Sequence, residues 1–336
     1  MIEQNEKNVS VKIAKELGIS QATVSRAMRH CGGVDSMTRR QILSCLDPAD
    51  ASSSLGCDVY VILPDTPRYF WKEIKEGMIA EKKNTSVSIK INIYTNVRDE
   101  ETVLFYLNEA EKLGAKVVLL SAMITPAIAE KLNLLRRHTA IFLVSEGGDV
   151  TNSFYFGADA YGDGFRLGKI FCERYSEMTP IVVNVKSNYN VEKRTQGFTD
   201  ALRQYDGVRF ETMPVCFIHH TVAADPKLFP SKLAAVLSEW MEEERSYCLY
   251  IPFGNIYQSR VFLKAKRGSK LTCITHDCVI GEDGKPENGI AVTLKQNTFD
   301  QGKAAIRAAV RYVTEGVFPG KKYTYVPSEI FDRTEK

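Results

Sequence analysis

Val11-Lys-Ile-Ala-Lys-Glu-Leu-Gly-Ile-Ser-Gln-Ala-Thr-Val-Ser-Arg-Ala-Met28 is the most informative stretch of this 336-residue chain. From Val9 to Met28, apolar Val11, Ala14 and Leu17, then Ile19, Val24 and Met28, trace two short amphipathic helices with a break at Gly18. Ala14 is small enough for close helix crossing, Gly18 supplies the backbone freedom of a tight turn, and Ser20 can cap the second helix. With Val24 and Met28 turned inward, Gln21, Ala22, Ser25, Arg26 and Arg29 lie on the outer face, with Thr23 placed to hold a phosphate. The pattern fits a helix-turn-helix. An ordinary surface hairpin with solvated charges has the same spacing, and spacing alone leaves both readings open.

Charge is distributed in the same sense. The whole chain carries a formal net charge of only +3. Residues 7–46 nevertheless hold Lys7, Lys12, Lys15, Arg26, Arg29, Arg39 and Arg40 against Glu16 and Asp35, a local excess that favours a phosphate backbone. Between Leu46 and Gly56, the run Asp47-Pro-Ala-Asp-Ala-Ser-Ser-Ser54 has the small, polar composition of a linker. The expected organisation is a head over 1–46, a linker over 47–57 and a body over 58–336.

The run Ser20 to Arg26, Ser-Gln-Ala-Thr-Val-Ser-Arg, with Val34-Asp-Ser-Met-Thr-Arg39 after it, resembles the DNA-binding head of the lac-repressor (LacI/GalR) family. The resemblance implies that Gln21 and Ala22 choose the operator sequence while Ser20, Thr23, Ser25 and Arg26 anchor or read the duplex. It also implies a hinge that inserts a leucine as a wedge in the minor groove, with Leu55 the candidate. The third helix is shorter than the family pattern and Ala49 stands where an Asn is customary, so a plain tether fits the linker equally well.

Beyond the linker, short apolar runs alternate with helical patterns: Val59–Leu63, Val87–Tyr94, Val117–Leu120, Ala140–Val144, Ile181–Val185, Phe210–Phe217, Cys248–Ile251 and Leu271–Ile274. This alternation predicts βαβ units and two parallel sheets flanked by helices. Such sheets bind ligands beyond the carboxyl ends of their strands. Those positions hold Asp65 with Phe70 and Trp71, Ser121, Ser145, Asp159, Arg194, Asn255, His276, Asp277 and Gln296. Aromatic faces beside carboxylate, amide and guanidinium groups suit a small polyhydroxylated ligand. Polar loops at strand ends are common to all α/β proteins, so each residue taken singly reads equally as structural.

Phe156-Gly-Ala-Asp-Ala-Tyr-Gly-Asp-Gly-Phe-Arg-Leu-Gly168, Arg194-Thr-Gln-Gly-Phe-Thr-Asp-Ala-Leu202, Thr275-His-Asp277 and Val292–Asn297 resemble the same family's periplasmic-binding-protein-like sensor domain. The resemblance implies two lobes closing on an effector, with Arg194 on it, and three chain crossings near 158–161, 287–291 and 319–325. Lobe 1 is then about 58–159 and 290–320, and lobe 2 about 160–289 and 321–336. The implied protein is a homodimer on palindromic double-stranded operator DNA, governed by a sugar or sugar derivative.

Other classes find little support. Gly162-Asp-Gly164 with Gly168 lacks the order of a nucleotide loop, no nucleophile elbow or Walker loop occurs, and His219-His220 have no metal-spaced partner. No catalytic residue, metal or cofactor is therefore expected. Cys45, Cys57, Cys172, Cys216, Cys248, Cys273 and Cys278 read as reduced core residues. The polar start from Met1 to Asn8 and the lack of a long apolar run point to a cytoplasmic chain without a membrane partner. A transport binding protein, or a regulator blind to ligand, shares the body's pattern and remains the alternative.

Overall fold

The computed structural model describes residues 2–28, 34, 38, 41–42, 45, 57–66, 68–95, 99–184, 189–205, 215–217, 244–254, 270–286 and 289–333. Helix α1 (Ile2–Leu17) and helix α2 (Gln21–Met28) are separated by Gly18, whose φ of 64° lies in the left-handed region. The Ile19 N–H donates to the Ala14 carbonyl at 3.1 Å, a six-to-one closure in which glycine ends the first helix without a Cβ penalty. Ser20 then starts the second: its Oγ accepts from the Thr23 N–H at 3.0 Å. Ile13, Val24, Ala27 and Ile42 form a small buried core with Ala14, Leu17, Ile19, Val34 and Cys45 around it. Two details differ from the sequence expectation. α1 begins at Ile2 rather than Val9, and Val11 is 49% exposed, because Ile13 takes the inward position. Arg29, Leu55 and linker residues 47–56 lie outside the described residues.

The chain divides into two compact units, Met1–Phe156 with Thr298–Thr324, and Gly157–Asn297 with Tyr325–Lys336. In the first unit, β1 (Val59–Pro64), α3 (Arg68–Lys82), β2 (Ile89–Tyr94), α4 (Glu100–Lys112), β3 (Val117–Leu120), α5 (Pro126–Leu135) and β4 (Ala140–Val144) alternate, and β5 (Ser153–Gly157) follows. With β11 (Tyr323–Tyr325) they form a six-stranded sheet in the order β11-β5-β4-β3-β1-β2, parallel throughout β2 to β5. β1, β3 and β4 are buried along their entire length, the mark of strands covered on both faces. The period of two divides them cleanly. Tyr60, Ile62, Val118, Leu120, Ile141 and Leu143 meet α4 and α5 on one face, while Val59, Val61, Leu63, Val117, Leu119 and Phe142 meet α3 and α8 (Thr298–Glu315) on the other. Asp99 and Thr125 cap α4 and α5 with their side chains.

In the second unit, α6 (Ala160–Arg174), β6 (Thr179–Asn184), α7 (Tyr189–Arg203), β7 (Val215–Phe217), β8 (Ser246–Ile251), β9 (Lys270–His276), β10 (Ile290–Lys295) and β12 (Glu329–Asp332) build a sheet ordered β12-β10-β9-β8-β6-β7. Only β12 runs antiparallel to its neighbour among these pairs. The second unit boundary falls at 297/298, after β10, and not at the expected 287–291. Ile290–Lys295 pairs with β9, so it belongs to the second sheet rather than to the first lobe.

The glycines of 162–168 have a packing role. A Cβ on Gly164 would sit 2.0 Å from the Arg194 carbonyl oxygen, one on Gly168 2.6 Å from that of Phe198, and one on Gly197 2.1 Å from that of Tyr161. α6 and α7 thus touch backbone to backbone.

Candidate ligand site at the strand ends

In the second unit, the residues following β8, β9 and β10 and one face of α7 converge. α7 turns Asn190, Val191, Arg194, Thr195, Gly197, Phe198, Ala201 and Leu202 inward at helical spacing, so Arg194 enters a mixed apolar and polar interface and is only 6% exposed. Its Nη1 donates to the Pro252 carbonyl at 2.9 Å, and its Nη2 lies 3.8 Å from an Asp277 carboxylate oxygen. Asp277, just past β9, has a φ of 53°. That left-handed turn brings its carboxylate to Gln296, whose backbone N–H donates at 2.9 Å and whose side-chain amide donates at 2.6 Å. Gly254 makes room, since a Cβ there would stand 2.6 Å from the Asp277 carbonyl oxygen.

Beneath this polar layer lies a ring stack. Phe198 and Tyr250 are parallel at 3.8 Å, and the Tyr250 hydroxyl stands 2.9 Å from His276 Nε2 and 3.3 Å from the Arg194 carbonyl oxygen, to which it donates. Burial, aided by the Arg194 charge, drives the His276 pKa well below its ordinary value, so the imidazole is neutral. Burial likewise raises the Tyr250 pKa far above the usual phenol range and keeps the proton on the hydroxyl. Two buried polar atoms, Arg194 Nε and His276 Nδ1, have no hydrogen-bond partner among the described residues. Buried polar groups are normally satisfied, so these two atoms are unusual in the unit's interior.

Asp163 connects α6 to β12. Its carboxylate accepts from the Ser328 hydroxyl at 2.6 Å and from Arg166 at 3.2 Å, while burial raises its pKa against the lowering effect of those partners and of Arg194. Asp159 caps α6, accepting from the Gly162 N–H at 3.0 Å, so one of its oxygens already has a structural task. Asn255 lies outside the described residues.

The expected residues of the first unit are positioned differently. Trp71 is 6% exposed, as buried as Arg194, and packs in the core with its indole N–H donating to the Thr66 carbonyl at 3.0 Å. Half-buried Phe70 lies edge-on to it at 5.0 Å, and the neighbouring Tyr69 is exposed. Asp65 is half-buried just past β1, with its N–H on the Tyr94 carbonyl. Ser121 is fully buried past β3, its hydroxyl without a partner among the described residues.

The sequence reading overlooked Tyr250 and Phe198. A tyrosine within the apolar run Cys248–Ile251 was the available signal, because a buried phenol needs a hydrogen-bond partner.

Two parallel sheets, each with polar residues beyond its carboxyl strand ends, match a group of solved structures. GanP, a glucose-galactose binding protein from Geobacillus stearothermophilus, superposes with a TM-score of 0.65 at 15% identity, over 82% of this chain and 97% of its own. The body has a periplasmic-binding-protein-like fold. The same holds for a Caulobacter myo-inositol binding protein, with a TM-score of 0.66 at 16% identity over 82% of this chain and 93% of that one. An Agrobacterium radiobacter carbohydrate transporter solute binding protein in complex with D-arabinose gives 0.65 at 14% identity, over 83% and 96%. No protein-family model matches the chain, and no curated protein does. The periplasmic-binding-protein-like neighbours are thus matched along nearly all of their length while a substantial part of this chain has no counterpart in them.

Proposed function

We propose that the chain is a DNA-binding transcription regulator, with α1 and α2 as a helix-turn-helix and the body as a sensor for a sugar or sugar derivative. The observation that carries this reading is the outer face of α2. Gln21, Ala22 and Arg26 are exposed on an eight-residue helix that is capped by Ser20 and backed by its own core, within the basic segment of the chain. Gln21 also receives orientation from α1, its amide donating to the Ser10 hydroxyl at 3.1 Å. A Gln at the first position and an Arg in the last turn of such a helix suit base-edge and phosphate contacts. The active species is a homodimer, since one small head makes few contacts and two on a twofold axis read a palindrome.

The solved neighbours favour a second reading, a sugar-binding component of a transport system, and it fits the body at least as well. They are a glucose-galactose binding protein, a myo-inositol binding protein and a solute binding protein in complex with D-arabinose. Selection from a random duplex pool separates the two. Recovery of a palindromic consensus, bound less tightly as salt rises, supports the regulator; absence of any enriched sequence leaves transport binding as the reading. A thermal-shift series with arabinose, ribose, glucose, galactose and myo-inositol tests the sensor, since a ligand at a hundred times its Kd adds about 2.7 kcal/mol. A flat series points to a regulator that no longer senses sugar.

A further inference from the structure

The strand-end residues lie past the carboxyl termini of the strands, but the first unit also has a groove at the opposite, amino end of its sheet. β4 starts at Ala140 and β5 at Ser153, and beside these starts lies a hollow of about 680 Å³. Its floor is aromatic. Phe154 and Phe318 stack at 5.4 Å with 22° between their planes, and Tyr312 meets Phe318 at 4.5 Å. Phe318 is 50% exposed, so half of its surface remains available beside the stack. Arg136, Arg137 and His138, consecutive and exposed, line the same hollow. Neither arginine has a carboxylate partner among the described residues, unlike Arg307 and Arg311 on α8, which pair with Glu81 and Glu315. A second hollow of about 480 Å³, lined by Lys322, shares Asn152 and Phe154 with the first.

We propose that this groove binds a planar aromatic anion of roughly mononucleotide size. The ring stacks on Phe318, and the two guanidiniums take the phosphate or carboxylate. Three features agree. The volume falls in the range that holds small molecules, a half-exposed aromatic stack is a ring platform, and unpaired guanidiniums are forked donors matched to oxyanions. A cation beside the carboxyl end of α5 also complements the helix dipole. That accounts for a charge at Arg136, where α5 is capped, but not for an open aromatic floor next to it.

The test is a set of calorimetric titrations of the full chain with adenosine 5′-monophosphate, indole-3-acetate, adenosine and inorganic phosphate. At least one of the two aromatic anions is expected to bind with a Kd below about 1 mM, and adenosine and phosphate at least about tenfold more weakly. Which anion binds distinguishes a phosphate from a carboxylate ligand. Arg136→Ser with Arg137→Ser, and separately Phe318→Ala, are each expected to weaken that binding about tenfold or more while leaving any sugar-induced thermal shift unchanged, so this result stands apart from the sensor reading. No binding of either aromatic anion, equal binding of inorganic phosphate, or full retention in the double arginine variant overturns the proposal.

Discussion

Arg194 and Asp277 are where single side chains count most. Their side chains are 7% and 9% exposed, and each is held by further hydrogen bonds, so removing one takes a close opposite charge from the other. Arg194→Ala is expected to lower stability by about 3 kcal/mol in urea unfolding and to abolish the thermal shift given by an effective sugar. A retained shift would remove Arg194 from the ligand site. His276 sets a pH dependence. Its folded pKa is depressed, so the unfolded chain takes up the proton first as pH falls, and stability is full above the unfolded pKa and is lost as pH falls below it toward the folded value. His276→Gln is expected to flatten this acid-side slope of the unfolding free energy between pH 6.5 and 5; an unchanged slope assigns it to other groups. At this scale the sequence was only partly legible. Arg194, His276, Asp277 and Gln296 lie together, and a polar residue following an apolar strand announces itself in the sequence. The burial of Trp71 is not legible there, because it depends on what packs over the ring, which no local pattern records.

Among the elements, the α6 and α7 pair depends on missing side chains. Gly164→Ala and Gly197→Ala each place a methyl against a backbone oxygen, which overpacks the interface, and each is expected to cost about 1–3 kcal/mol by chemical denaturation. Gly320→Ala, with nothing within 4 Å of the new methyl, is the comparison and is expected to be neutral. Equal stability of all three would refute the close packing. Most strands of the sheets were readable as continuous apolar runs, since parallel strands covered on both faces need them. β5 and β10 do not stand out as strands in the sequence. Ser153-Phe-Tyr-Phe-Gly157 is short and begins on Asn152 in a left-handed turn, and neither it nor Ile290–Lys295 is set off from the preceding strand by a helix among the described residues. The gap before β10 also explains why its sheet was misassigned.

For the molecule as a whole, the proposed regulator makes a prediction that no sugar-binding protein shares. Arg26→Ala is expected to weaken binding to a selected duplex by about 1–3 kcal/mol and to reduce its salt dependence, with the melting temperature of the body unchanged. Gel-shift titration at several salt concentrations measures both, and undiminished affinity would rule out the proposed docking of α2. The helix pair α1 and α2 was legible because a turn, a cap and a small core are all local in sequence. The unit boundaries were less so, because each sheet draws on segments far apart.

That interleaving has a consequence during synthesis on the ribosome. The first sheet lacks the covering of α8 until residues 298–315 emerge, and the second lacks its β12 edge until 329–332 follow. Neither unit is finished early, so a nascent chain stalled near residue 297 exposes the apolar side of β1, β3 and β4 to chaperones and aggregation. Residues 298–332 complete both units in quick succession.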